Sequence, residues 1–158
     1  MMSNYSAGDI VIRPMLWWDI PVVEKIEQEL FPVDPWTAEL FWAELAQVPE
    51  SRTVVVVEVN GEIAGYTSLR TVGSEADINT IAVATKFQNQ GIGSQLYVWL
   101  ENCALTKQVR QLFLDVRSDN DVAINMYQKL GFEKIDLRKD YYATGISAIV
   151  MRKRLSNV

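Results

Sequence analysis

The spacing of apolar positions along the chain switches between a helical period near 3.6 and the alternation of a strand, and the switches mark out the elements. Residues 10–13 (Ile-Val-Ile-Arg) read as a short strand. Asp19 then stands where a helix cap belongs, ahead of Ile20, Val23, Ile26 and Leu30 on one helical face, with Pro21 tolerated in the first turn. Phe31-Pro32-Val33-Asp34-Pro35-Trp36 breaks that helix. Thr37 is placed to cap a second one, whose buried stripe is Phe41, Leu45 and Val48 and which Pro49 stops. Trp17 and Trp18 read as core or helix-entry packing.

From Thr53 the pattern becomes dense and β-branched. Thr53 to Val59 is a strand, Asn60-Gly61 a hairpin turn, and Glu62 to Arg70 the returning partner. Residues 75–84 form a third strand. Gly91-Ile92-Gly93 opens a helix with Ile92, Leu96, Leu100 and Cys103 at helical spacing, ending near Lys107. Gln111 to Val116 is a buried strand, and Asp119 or Asn120 caps a helix that turns Val122, Met126 and Leu130 inward until Gly131 ends it. Phe132 to Arg138 and Ile146 to Arg152 close the chain as two strands joined by a polar turn, Asp140 to Gly145. The order β-α-α-β-β-β-α-β-α-β-β predicts an α/β fold: one mixed sheet with helices on its faces. No repeat or linker separates domains, so residues 1–158 are expected to form a single domain with its core at about 8–154.

Composition narrows the chemistry. The 158 residues are 49% hydrophobic and include one Cys and no His. That excludes an internal disulfide, the usual zinc and haem ligand sets and every His-based triad, leaving acid–base work to Asp, Glu, Tyr, Lys or the backbone. Cys103 lies on an apolar stripe with no His to activate it and reads as a buried structural thiol. No apolar run approaches membrane-spanning length, and MMSNYSAGD lacks the pattern of a secretory leader, so a cytoplasmic location is expected. A net charge of −5 argues against bulk binding to nucleic acid. The charge is uneven: residues 1–79 hold 4 Lys/Arg against 13 Asp/Glu, and residues 80–158 hold 11 against 7. Either surface chance or two ligands of opposite sign accounts for the split.

The most informative stretch runs from Ile81-Ala82-Val83 into Gln88-Asn89-Gln90-Gly91-Ile92-Gly93-Ser94. A strand leads into glycines that open a helix, and such a turn aims successive N–H groups and the positive end of the helix at one spot, which suits a phosphate. A dinucleotide fingerprint would need a third glycine where Leu96 stands, and a P-loop would need Gly-Lys-Ser/Thr. Taken alone, the turn also fits a plain strand–helix connection.

In order and spacing, IAV, QNQGIG and LFLDVRSDNDVAINMYQKLGF resemble the cofactor half of the GNAT superfamily of N-acetyltransferases. ELFPVDPWT and Asp140-Tyr141-Tyr142 resemble its ribosomal-protein-alanine N-acetyltransferase branch. The resemblance covers most of residues 8–152 and implies acetyl-CoA as co-substrate, with no metal and with direct transfer to an amine. It implies that the backbone of Ile81, Ala82 and Val83, the turn Gln88, Asn89, Gln90, Gly91, Ile92, Gly93 and Ser94, and the side chain of Asn120 hold the cofactor. The amides near Val83, where the strand splays from its neighbour, would polarise the thioester oxygen.

The resemblance further implies Asp115 as the base, one methylene shorter than the family's glutamate, and Tyr127 as the acid that protonates the departing thiolate. Each also has a plainer reading: Asp115 as a carboxylate held by Arg117 or a helix start, Tyr127 as a core tyrosine at the edge of the buried face, Asn120 as a helix cap. Trp36, Tyr141 and Tyr142 are the candidates to wall an acceptor slot. An acidic N-terminal half favours a basic protein N-terminus, as of a ribosomal protein beginning with alanine. The other readings are a lysine or small-amine acetyltransferase on the same fold and a non-catalytic acyl-CoA-sensing module. Neither nucleic acid nor membrane is an expected partner.

Overall fold

The computed structural model describes residues 9–155; the leader reading of MMSNYSAGD falls almost wholly outside them. In chain order the elements are β1 (Ile10–Pro14), α1 (Ile20–Leu30), α2 (Ala38–Leu45), β2 (Arg52–Val59), β3 (Glu62–Val72), β4 (Glu75–Val83), α3 (Ile92–Thr106), β5 (Gln111–Arg117), α4 (Asp121–Lys129), β6 (Glu133–Ala143) and β7 (Ile146–Arg154). This is the predicted order. The seven strands form one sheet, β1-β2-β3-β4-β5-β7-β6. It is mixed: β4 and β5 run parallel, whereas β1–β2, β2–β3, β5–β7 and β7–β6 are antiparallel.

Backbone contacts divide the chain into two compact units. The first comprises the described residues up to Arg70 together with Thr80–Cys103, and the second comprises Thr71–Asn79 and the described residues from Ala104 onward.

In the first unit the β-branched run of β2 is buried on both faces. Val54 and Val56 join Ile20, Val23, Ile26 and Phe41 in one cluster, while Val55, Val57 and Val59 join Phe87, Ile92 and Leu96 in another. Alternation sends successive residues to opposite faces, so a continuous valine run requires helices on both. Asn60 and Gly61 both take positive φ, 52° and 80°, as a tight hairpin with the twist of its strands requires. Thr37 caps α2 by accepting the Leu40 N–H. Asp19 does not cap α1. Its carboxylate is drawn into a two-pronged pair with Arg13, at 2.7 and 2.9 Å, and accepts the Leu16 N–H instead; a charge-assisted fork outcompetes a lone cap bond. Helix α2 ends at Leu45, so Val48 falls in the following turn and is exposed. Trp17 and Trp18 are also surface residues, 59% and 57% exposed, and Trp17 stacks on Trp42 rather than entering the core.

In the second unit Leu112, Leu114 and Val116 of β5 are buried beside the buried run Ala148–Met151 of β7. The inward face of α4 differs from the predicted stripe: Val122 is 82% exposed and Met126 is exposed, whereas Tyr127 is 7% exposed. The helix carries apolar residues on two possible faces, and the edge-on contact of Tyr127 with Phe132 belongs to the one that is buried. β6 extends to Ala143, so Tyr141 and Tyr142 stand on a strand and not in a turn.

Candidate active site

The glycine-bearing turn belongs to the first unit. β4 ends at Val83, and a short 3-10 turn, Thr85–Phe87, follows, anchored by the buried Phe87 ring. Asn89 (φ 62°) and Gly91 (φ 80°) then take the chain through the left-handed region, and α3 begins at Ile92. A Cβ at Gly91 would meet nothing within 4 Å, so backbone conformation, not space, calls for glycine there. The first-turn N–H groups of Ile92, Gly93 and Ser94 have no acceptor within the helix, and the Ile92 side chain is buried, leaving its main chain as its polar contribution.

Gln88 donates its side-chain N–H to the Val83 carbonyl (3.0 Å) and Gln90 donates to the Lys86 carbonyl (3.3 Å), so both brace the turn. The Gln90 Oε1 is buried without a hydrogen bond. Ala82 packs into the core, and β3 approaches so closely that a Cβ on Gly65 would lie 2.5 Å from the Ala82 carbonyl oxygen. Left-handed backbone with free space beside it, unpaired first-turn donors and a buried acceptor awaiting an N–H or O–H fit a diphosphate ester with an amide-bearing arm.

Trp36, also in the first unit, is fastened by its main chain. Its N–H donates to Glu27 Oε1 (3.2 Å), the next-turn Ala38 N–H donates to Glu24 Oε2 (2.6 Å), and its ring tilts against Phe41. Glu27 is buried and also accepts the Tyr66 hydroxyl; burial pushes its carboxyl above the usual range. Trp36 is therefore part core cover. Glu27 was legible in principle, because it interrupts the Val23, Ile26 and Leu30 stripe with a carboxylate that needs a partner.

The second unit holds the acid–base candidates. Asp115 lies on the less buried face of β5, where Asp77 of β4, in register with Phe113, is also found. Its carboxylate is not held by Arg117, which donates to Asp119 (3.1 and 3.3 Å). It faces Arg138 of β6, with Nη1 3.6 Å from Oδ2. Burial pushes the Asp115 carboxyl up, Arg138 draws it partly back, and Asp77 adds to the rise. The Tyr127 hydroxyl carries no hydrogen bond among the described residues, and burial pushes it up to about 12.

Asn120 is the cap of α4, its oxygen accepting the Ala123 N–H (3.1 Å), which leaves its NH₂ for another acceptor. Tyr141 and Tyr142 meet edge to face at 5.2 Å, with Arg138 over the first ring and Arg117 over the second. An irregularity between Arg138 and Ala143, with Asp140 at φ 53°, lets neighbouring strand residues touch in this way. The structure thus gathers Asp115, Arg138 and Tyr141, and Asp77 and Arg138 are members of this group that the linear sequence did not single out.

The sequence model of the family described as acetyltransferase (GNAT) matches residues 20–132. The N-alpha-acetyltransferase RimI of Mycobacterium tuberculosis is 34% identical over 135 residues, 82% of each chain. Among solved structures, the ribosomal-protein-S18-alanine N-acetyltransferase of Escherichia coli superposes with a TM-score of 0.84 at 30% identity, covering 94% of this chain and 96% of that one. A GNAT acetyltransferase of Elizabethkingia anophelis, solved with acetyl-CoA bound, superposes with a TM-score of 0.76 at 26% identity, covering 93% and 99%.

Proposed function

Since the chain belongs to the GNAT family of acetyltransferases, we propose that it transfers acetyl from acetyl-CoA to the N-terminal amine of a protein, a ribosomal protein beginning with alanine, working as a single catalytic domain in the cytoplasm. The observation that carries the acceptor class is Asp115. It is a carboxylate on the exposed face of β5 with raised proton affinity and no hydrogen bond of its own among the described residues. An α-amine, with a pKa of about 7.7–8.0, suits so modest a base far better than a lysine amine near ~10.4. The likeness to enzymes named for N-alpha and ribosomal-protein alanine acetylation supports the same acceptor. So does the acidic excess of residues 1–79, which steers basic chains.

Bound acetyl-CoA supplies an activated acyl carbon. In this reading the main-chain amides of the Gln88–Ser94 turn hold its diphosphate, and those of Ile81–Val83 and the Asn120 side chain hold its arm. Asp115 takes a proton from the acceptor ammonium. The freed nitrogen forms the new C–N bond as the C–S bond breaks, and the electron pair leaves with the sulfur. The new bond leaves one proton too many on the nitrogen, which passes to solvent; Tyr127 gives its proton to the sulfur and regains one from solvent, and Asp115 releases its own, so the net reaction yields an amide, a thiol and one proton. Tyr141 and Tyr142 wall the acceptor on the strand that carries Arg138, and Trp36 is the aromatic candidate of the first unit.

Incubating the full chain with acetyl-CoA and an alanine-initial basic peptide, beside the same peptide with a blocked N-terminus and a free lysine, tests the reading by intact-mass spectrometry. One acetyl group on the free N-terminus and none on the blocked peptide is expected. Acetylation of lysine alone would establish the lysine reading, and cofactor binding without turnover would establish the sensing reading.

A further inference from the structure

We propose that Arg138 is a specificity-determining residue: its guanidinium occupies the cation position on Asp115 and Tyr141, and an acceptor amine must displace it. The inference rests on the reading of Asp115 as the group that receives the acceptor.

The three arginines nearest Asp115 on its face of the sheet are held very differently. Arg117 is hydrogen-bonded to Asp119 at 3.1 and 3.3 Å, and Arg152 to Glu133 at 2.8 Å. Arg138 makes no hydrogen bond among the described residues. Its contacts are the 3.6 Å approach to Asp115 and the Tyr141 ring, 5.6 Å from the guanidinium carbon, and its side chain is 52% exposed. Charge-assisted bonds from arginine to carboxylate usually run about 2.7–2.9 Å. A guanidinium at 3.6 Å is therefore close enough to neutralise Asp115 and too loosely held to resist a better cation.

Strand register explains the placement. Arg138 pairs with Ala148, which pairs with Arg117, and Asp136 pairs with Val150, which pairs with Asp115. Arg138 thus reaches Asp115 across the intervening β7 and two residues along the sheet, a span that takes the length of an arginine side chain. The other charged groups on this face are Asp77 of β4, which raises the Asp115 carboxyl, Arg117 two residues along β5 and Asp136 across β7; β7 places the neutral Val150 directly opposite Asp115.

A protein α-ammonium is compact, carries three donors and is largely charged near neutral pH. It can satisfy both groups that Arg138 satisfies, the carboxylate by hydrogen bonding and the tyrosine ring as a cation. A bare small amine must win this exchange unaided, whereas a protein N-terminus adds the contacts of its following residues. Arg138 thereby screens acceptors. Once acetylated, the nitrogen is a neutral amide with no claim on the carboxylate, and the return of Arg138 favours its departure.

Steady-state kinetics of Arg138→Gln, Arg138→Lys and the unaltered chain, with an alanine-initial peptide and with alanine amide, provide the test. An exposed ion pair sets the scale, so Arg138→Gln should lower the acceptor KM by about two- to fivefold. The fall should be of the same size for alanine amide, which displaces the same contact, the KM for acetyl-CoA should not move, and Arg138→Lys should restore the original values. Carbon NMR should show the Asp115 carboxyl titrating at higher pH in Arg138→Gln, since the cation that draws it down is gone; this readout does not depend on turnover. An acceptor KM that rises or stays put, or an Asp115 titration that does not move, overturns the proposal. Asp115→Asn separates it from its premise: loss of turnover there with an unchanged KM in Arg138→Gln defeats the displacement alone, whereas full turnover in Asp115→Asn defeats the base reading.

Discussion

The surroundings of Tyr127 suit the acid role proposed for it. The ring packs edge-on against Phe132 and is almost fully buried, while the hydroxyl is left without a hydrogen bond among the described residues. An uncommitted buried phenol wants an acceptor, and in the proposed reaction the departing sulfur would provide one. Proton donation of this kind contributes about 10²–10⁴-fold. Because burial has pushed the hydroxyl up to about 12, it is a reluctant donor, and Tyr127→Phe should lower kcat toward the lower limit, about a hundredfold. Phenylalanine keeps the Phe132 contact, so coenzyme A affinity and melting temperature should hold steady. Turnover equal to that of the unaltered chain would remove Tyr127 from the mechanism. The cap role of Asn120 was legible from its place ahead of α4, and Asp115 and Tyr127 were singled out because each sits in a local motif of fixed spacing. Arg138 was not: its tie to Asp115 exists only through the pairing of β5 with β7 and of β7 with β6, which no local pattern encodes.

Among the elements, the strands were read more surely than the helix faces. The valine run of β2 and the Asn60-Gly61 turn have few alternatives, whereas α4 offers two apolar stripes, and only packing chooses the one that buries Tyr127. Tyr141 and Tyr142 looked like turn residues because polar neighbours surround them; an irregular strand accommodates the same composition. The most crowded of the described glycines also lies near a proposed cofactor contact. A methyl group at Gly65 would press 2.5 Å from the Ala82 carbonyl oxygen and 3.3 Å from the Val83 Cα. Neither backbone atom can move without dragging the end of β4. Gly65→Ala is therefore expected to cost about 1–3 kcal/mol of stability, a loss of several degrees in thermal unfolding, and to weaken coenzyme A binding with it. A variant with unchanged melting temperature and affinity would show that the end of β4 does not depend on this approach.

Across the whole molecule, element order and the mixed sheet follow from period together with the turn, cap and breaker residues between elements. The division of contacts into two compact units does not, because no linker marks it and β4 contributes its first part to one unit and its last part to the other. The uneven charge is likewise visible in sequence, with the acidic excess before residue 80 and the basic excess after it. Everything proposed for the chemistry depends on main-chain donors of the turn at 88–94 holding a diphosphate. Calorimetric titration of the full chain with coenzyme A, in parallel with Gly91→Val, addresses this most directly. A branched residue at φ 80° disturbs the turn while leaving the buried core of α3 in place. The unaltered chain should show saturable one-site binding, and the variant an affinity lower by about tenfold or more. No saturable heat from the unaltered chain, or equal affinity in Gly91→Val, would contradict the diphosphate reading of the turn.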